Sequence, residues 1–151
     1  MMAGVANPEE KKSLTIDEIY VGQSASRTKT FEEGDVFTFI GLTRDINPIH
    51  YDEAFAKQTP FGKRLVPAPF TCTLISGILG QQLPGGGSIY VSQTVKFKAP
   101  VFFGDTVTCT LTVTEINRER GRVTLSTVLT NQDGKVVIEG EAVSIPTKVK
   151  I

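Results

Sequence analysis

Residues 69–87 read PFTCTLISGILGQQLPGGG, and whether this run is a strand or a helix decides the fold. Thr71, Cys72, Thr73 and Ile75 favour extended backbone locally. Length argues the other way. The run is too long for an ordinary buried strand, it opens on Pro69, which suits a first helical turn, and it stops at a proline followed by three glycines. It is therefore expected as one buried helix, on which Leu79 lies one turn beyond Ser76.

Downstream of that helix the period changes from helical to twofold. Over residues 88–97, Ile89, Val91, Val95 and Phe97 alternate with Tyr90, Ser92, Thr94 and Lys96. Over residues 105–116, Val107, Cys109, Leu111 and Val113 alternate with a row of threonines. RVTLSTVLT (122–130) and KVVIEGEAVSI (135–145) continue the pattern, joined by NQDG, whose Asp-Gly is a hairpin signal. A further strand is expected near SASRTKTF (24–31). The sum is an α+β chain with an antiparallel sheet of about five strands, a usual size.

Upstream of the helix, TPFGKRLVPAPF (59–70) is a loop punctuated by Pro60, Pro67 and Pro69. YDEAFAKQ (51–58) reads as a short helix that Asp52 can cap. FEEGDVFTFIGLTR (31–44) reads as another, with Phe37, Ile40 and Leu42 roughly on one side. Between them lies RDINPIHYDEAF (44–55), which holds the chain's one histidine, His50, five residues after Asp45. Pro48 disfavours helix at Asn47 and stops the helix before it, so residues 45–50 form an irregular connection, the kind of segment on which function concentrates.

Composition narrows the function classes. A chain of 151 residues with zero formal charge supports one domain, and it has no Lys/Arg run suited to nucleic acid or an anionic membrane. Cys72 and Cys109 lie far apart in apolar or alternating context and read as reduced, buried thiols. One histidine and two scattered cysteines make no metal site, so none is expected. Residues 1–14 read as a flexible tail and residues 15–151 as the folded domain. The opening residues lack a hydrophobic signal core and carry two glutamates, which places the protein in the cytoplasm, or in the mitochondrial matrix if a transit segment has been removed. The longest apolar run is too short and too polar for a bilayer.

FIGLTRDINPIHYD (39–52) resembles the hydratase 2 motif of the MaoC-like (R)-specific enoyl-CoA hydratases. SGILGQQLPGGGSIYVSQTVKFKAPVFFGDTV (76–107) is similar to the helix, glycine turn and strands that follow it in that family. The resemblance implies a single hotdog domain, the sheet wrapped around a long central helix, and a homodimer with its sites near the subunit interface. It implies reversible addition of water to a trans-2-enoyl coenzyme A thioester, giving the (R)-3-hydroxyacyl thioester in fatty-acid metabolism, with no cofactor.

Carried over to this chain, the resemblance makes Asp45 the base for water and His50 the group that orients water and moves a proton. Ala68 N–H becomes the oxyanion donor, Asn47 and Ser76 become supporting residues, and Leu79 a wall of the acyl pocket. Ser76 read alone is equally a helix serine bonded to a carbonyl one turn back, and Leu79 equally core. Gln93, a polar residue in an apolar row, reads as a sheet residue bonded across the dimer interface. Lys63, Arg64, Lys96 and Lys98 are candidates for coenzyme A phosphates.

Two departures from the family stand out: Arg44 where a glycine usually precedes the aspartate, and Pro67-Ala68 where His-Gly usually precedes the central helix. Pro69 is expected to push Ala68 toward extended backbone and so to weaken the donor. Two alternatives remain beside the hydratase: a dehydratase acting on 3-hydroxyacyl-acyl-carrier protein, and a weakly catalytic acyl-thioester binding module. A hotdog thioesterase is weaker than either, since it leaves the Asp45/His50 pair unexplained.

Overall fold

The computed structural model describes residues 12–149. Five strands, β1 (Ser24–Thr30), β2 (Ile89–Phe97), β3 (Thr106–Asn117), β4 (Arg122–Thr130) and β5 (Val136–Ile145), form one antiparallel sheet in the order β1-β3-β4-β5-β2. The decisive run is helix α3, Ala68–Gln81, of 14 residues. Leu74, Ile75, Ile78 and Leu79 of α3 are buried together with the inward residues of β3 to β5, among them Val107, Leu111, Leu125, Leu129 and Val137. This is the hotdog arrangement, and the alternation read from β3 is the alternation observed, apolar side chains inward and threonines outward; β4 follows it except that Thr127 is buried on the inner face and Val128 lies on the outer one. Cys109 is buried and Cys72 half-buried, and both are free thiols. Burial pushes the Cys109 thiol up to about 12.

Helices α1 (Glu33–Thr43) and α2 (Glu53–Ala56) precede α3. The inward face of α1 is Val36 and Ile40; Phe37 and Leu42 of the expected apolar side are exposed. The shift arises because Phe39 stacks on Phe70 of α3, with ring centroids 4.8 Å apart, and Phe70 in turn meets Phe31 edge-on at 5.1 Å. These contacts set how α1 rolls against α3. Asp52 caps α2 as expected, its Oδ1 accepting the Phe55 N–H at 3.0 Å.

Strand β2 departs from its expected half-burial. It is an edge strand, its register shifts between Tyr90 and Ser92, and Ile89, Val91 and Phe97 are exposed. The opposite edge is β1, which is tied to β3 by side chains as well as backbone. Thr106, Thr108 and Thr110 of β3 pair their hydroxyls with Thr30, Thr28 and Ser26 of β1 at 2.7–2.9 Å, so three of the five threonines in that row bond across to β1.

Of the stretch expected as a tail, residues 1–11 lie outside the described residues, whereas residues 12–14 are held against the glycine turn after α3. The Lys12 carbonyl accepts the Gly86 N–H at 2.7 Å, and the Leu14 N–H donates to the Pro84 carbonyl at 3.0 Å. A Cβ on Gly85, whose φ is +97°, would stand 1.9 Å from that Lys12 oxygen, which is why the turn takes glycine there. Among the described residues no helix is long and apolar enough to cross a membrane.

Candidate active site

Helix α1 stops at Arg44, which takes left-handed backbone (φ 58°, ψ 28°) and donates its N–H to the Ile40 carbonyl at 2.8 Å. The stop is therefore this cap, three positions before Asn47, where Pro48 would impose one. Left-handed backbone is costly for a residue with a Cβ, by roughly 1–2 kcal/mol, and this is why a glycine suits the position. Arg44 is exposed. Arg44→Gly should stabilise the protein by about 0.5–1 kcal/mol after the greater unfolded-state entropy of glycine is offset. Thermal melting should show a rise of a few degrees; a lower midpoint would mean that the arginine side chain has a stabilising contact.

After the cap, two side chains fold the chain over itself. Asp45 Oδ1 accepts the Asn47 N–H and Asn47 Oδ1 accepts the Ile49 N–H, each at 3.3 Å. Asn47 thus caps a one-turn 3-10 helix, Pro48–His50, whose first residue is the proline. His50 is buried, and its Nδ1 donates to the Leu65 carbonyl at 2.8 Å, while the Leu65 N–H donates back to the Ile49 carbonyl at 3.0 Å. The carbonyl can only accept, so it fixes the proton of the neutral ring on Nδ1. Nε2 is left as a lone pair aimed toward Asp45 Oδ2, 3.6 Å away. Two acceptors face each other beyond hydrogen-bond reach, an arrangement that a water completes by donating one proton to each.

The same loop reaches the sheet side. Leu65 bridges to Phe102, and the Val66 N–H donates to the Val101 carbonyl at 2.8 Å. Ala68 follows as the first residue of α3 with helical backbone, so the extended conformation expected from Pro69 is overridden by the helix. Pro69 occupies the second helical position, where an N–H has no intrahelical acceptor and its loss leaves nothing broken. The Ala68 N–H has no intrahelical partner either, and it stands at the positive end of a 14-residue helix.

His50 and Ala68 border a common cavity of about 350 Å³, together with Thr71, Phe97, Val101 and Ile138. The apolar lining suits an acyl chain and the open mouth admits a long thioester. Sequence patterning singles out Thr71 only for its β preference; its spacing of three from Ala68 is the signal that puts both on one helix face.

Not every expected residue comes to this cavity. Ser76 is exposed, and Leu79, 2% exposed, belongs to the core. Gln93 is bonded within its own protomer, accepting from the Tyr90 hydroxyl at 2.6 Å and donating to Thr127 Oγ1 at 2.9 Å and the Thr94 carbonyl at 2.8 Å, so it needs no partner across an interface. Arg64 bonds Glu33 at 2.7 Å and Glu53 at 3.1 Å with its guanidinium over Phe103, which makes it a clamp between α1 and α2. Lys98 borders the cavity and pairs with Glu139 at 3.3 Å, and Lys63 lies over the Phe102 ring.

Residues 9–136 match the model of the MaoC like domain family. The (R)-specific enoyl-CoA hydratase of Rhodospirillum rubrum is 49% identical over 87% of this chain and 92% of its own length. Among solved structures, the (R)-hydratase of Aeromonas caviae superposes with a TM-score of 0.84 at 43% identity, covering 85% of this chain and 98% of that one. The unliganded R-hydratase of Pseudomonas aeruginosa gives 0.87 at 36% identity, covering 92% and 89%.

Proposed function

Because this chain belongs to the MaoC-like domain family, we propose that it is an (R)-specific 2-enoyl-CoA hydratase, a hydro-lyase that adds water reversibly to trans-2-enoyl-coenzyme A. The observation that carries this reading is that His50, whose Nε2 lies 3.6 Å from Asp45 Oδ2, borders the same cavity as Ala68, the first residue of a 14-residue helix.

In the hydration direction, water donates one proton toward Asp45 and one toward His50 Nε2. Asp45 takes its proton as the oxygen bonds to the β-carbon, and the C=C electron pair moves to the thioester, whose oxygen gains enolate charge. The Ala68 N–H and the helix N-terminus oppose that charge. Return of a proton from the Asp45/His50 pair to the α-carbon completes the 3-hydroxyacyl thioester and restores the pair. No redox step occurs, so no cofactor is required by the chemistry.

The test is crotonyl-CoA mixed with purified protein, following the conjugated thioester absorbance and free thiol together. A hydratase removes the absorbance and releases no thiol. Thiol release would reassign the protein as a thioesterase, and absence of both changes as a binding module.

The assembly is a homodimer formed through β2. This edge strand has unpaired backbone groups on its outer side and exposed Ile89, Val91 and Phe97, features that favour joining a second sheet edge. Light scattering at micromolar concentration should give the mass of two chains; a stable monomer would remove β2 pairing from the account.

A further inference from the structure

Thr71 lies one helical turn past Ala68, borders the cavity and is 1% exposed. Among the described residues its Oγ1 is the buried side-chain oxygen without a hydrogen-bond partner. Other threonines in the helices of this chain settle theirs on the preceding turn: Thr38 on the Gly34 carbonyl and Thr43 on Phe39, both at 2.8 Å, and Thr73 on Phe70 at 2.6 Å. For Thr71 the corresponding acceptor is the Pro67 carbonyl. That oxygen already accepts the Phe70 N–H at 2.9 Å and the Thr71 N–H at 3.2 Å, so both lone pairs are taken.

A buried hydroxyl without a partner is unfavourable and rare. Here it sits at a helix start from which Pro69 has removed one N–H donor.

We propose that the Thr71 hydroxyl, turned toward the cavity by rotation about Cα–Cβ, donates to the thioester oxygen of the bound substrate as a second donor beside the Ala68 N–H. The proposal rests on the hydratase reading. The hydroxyl has no competing bond to break, and its bond to the thioester oxygen strengthens as that oxygen acquires charge. It therefore contributes more in the transition state than in the bound substrate, and raises kcat rather than only lowering KM. Thr71 is thus a catalytic residue, replacing in part the donor that the proline-flanked helix start lacks.

Thr71→Val keeps the side-chain shape and removes the donor; Thr71→Ser keeps the donor. The expected result is a kcat on crotonyl-CoA lowered at least about tenfold in the valine variant, which converts to about 1.4 kcal/mol. The serine variant should stay within about threefold of the parent, and the valine variant should melt no lower than the parent, since an unpartnered polar group has been removed. A smaller loss in the valine variant, or an equal loss in the serine variant, overturns the proposal.

Infrared spectra of bound butyryl-CoA carrying carbon-13 at the thioester carbonyl separate this contact from turnover. The carbonyl stretch should lie lower on the parent than on the valine variant, and equal positions would overturn the contact. If the parent does not hydrate crotonyl-CoA, the hydratase reading fails by itself, and the infrared comparison still decides whether Thr71 touches the carbonyl. Should the valine variant not fold, Thr71→Ala takes its place under the same criteria.

Discussion

Asp45→Asn and His50→Ala each lower turnover of crotonyl-CoA by at least about a hundredfold, the lower end of what a positioned acid or base contributes. The asparagine keeps an oxygen able to accept the Asn47 N–H, so the turn survives while the base is lost. Removing the imidazole frees the Leu65 carbonyl and opens space beside the cavity, so His50→Ala also costs some stability, on the order of 1 kcal/mol. Circular dichroism and thermal melting separate the two effects. A folded Asp45→Asn protein with near-parent turnover would refute the assignment of the base. The two substitutions combined should cost about as much as the worse one alone, since the residues hold one water between them.

Gly140→Ala is expected to be the most damaging single methyl in the sheet. A Cβ at Gly140 would lie 1.8 Å from the Thr94 carbonyl oxygen and 2.8 Å from its carbon, both backbone atoms of the neighbouring strand. Glycine is needed here for space. Relief would require β2 to move off β5, where Gly140 faces Val95 and the Glu141 N–H donates to Thr94 Oγ1 at 3.1 Å. Ordinary overpacking costs about 1–3 kcal/mol through side chains that can yield; with two backbones in opposition we expect more than about 3 kcal/mol, a large share of a typical domain's stability. Urea unfolding should show it, together with loss of the dimer, because β2 is the strand proposed to pair. A cost below about 1 kcal/mol would mean that the two strands separate there more easily than their hydrogen bonds imply.

Much of this was legible in the sequence because local chemistry and tertiary outcome agree. Val107, Cys109, Leu111 and Val113 alternate with threonines and are buried in that order. Asn47 and Pro48 shape the turn that their side chain and ring permit. The failures arise where a neighbour decides. Alternation in β2 tells which residues share a face, and its place at the sheet edge leaves Ile89, Val91 and Phe97 uncovered. The roll of α1 depends on the Phe39–Phe70 stack, a contact between residues far apart in the chain. The pairing rule that disfavours helix before proline is weaker than thirteen following residues of helix, so Ala68 joins α3. Thr71 could not be singled out from composition, because its distinction is an absent bond that only the folded chain reveals.

The short seam at Leu65 and Val66 has parity. Both backbone groups of Leu65 turn toward the histidine turn, and the N–H of Val66 turns the opposite way, to Val101. Residues 57–63, after α2, lie outside this alternation and are mostly exposed, so lengthening or shortening them changes a surface excursion and leaves the histidine facing the same wall. Adding or deleting one residue within 64–66 would exchange the two sides, turn the carbonyl away from the imidazole, and release the ring to either tautomer. The loop 57–63 can therefore change length while the seam cannot, which leaves room to reshape the cavity wall at Phe61 without renegotiating the proton on His50.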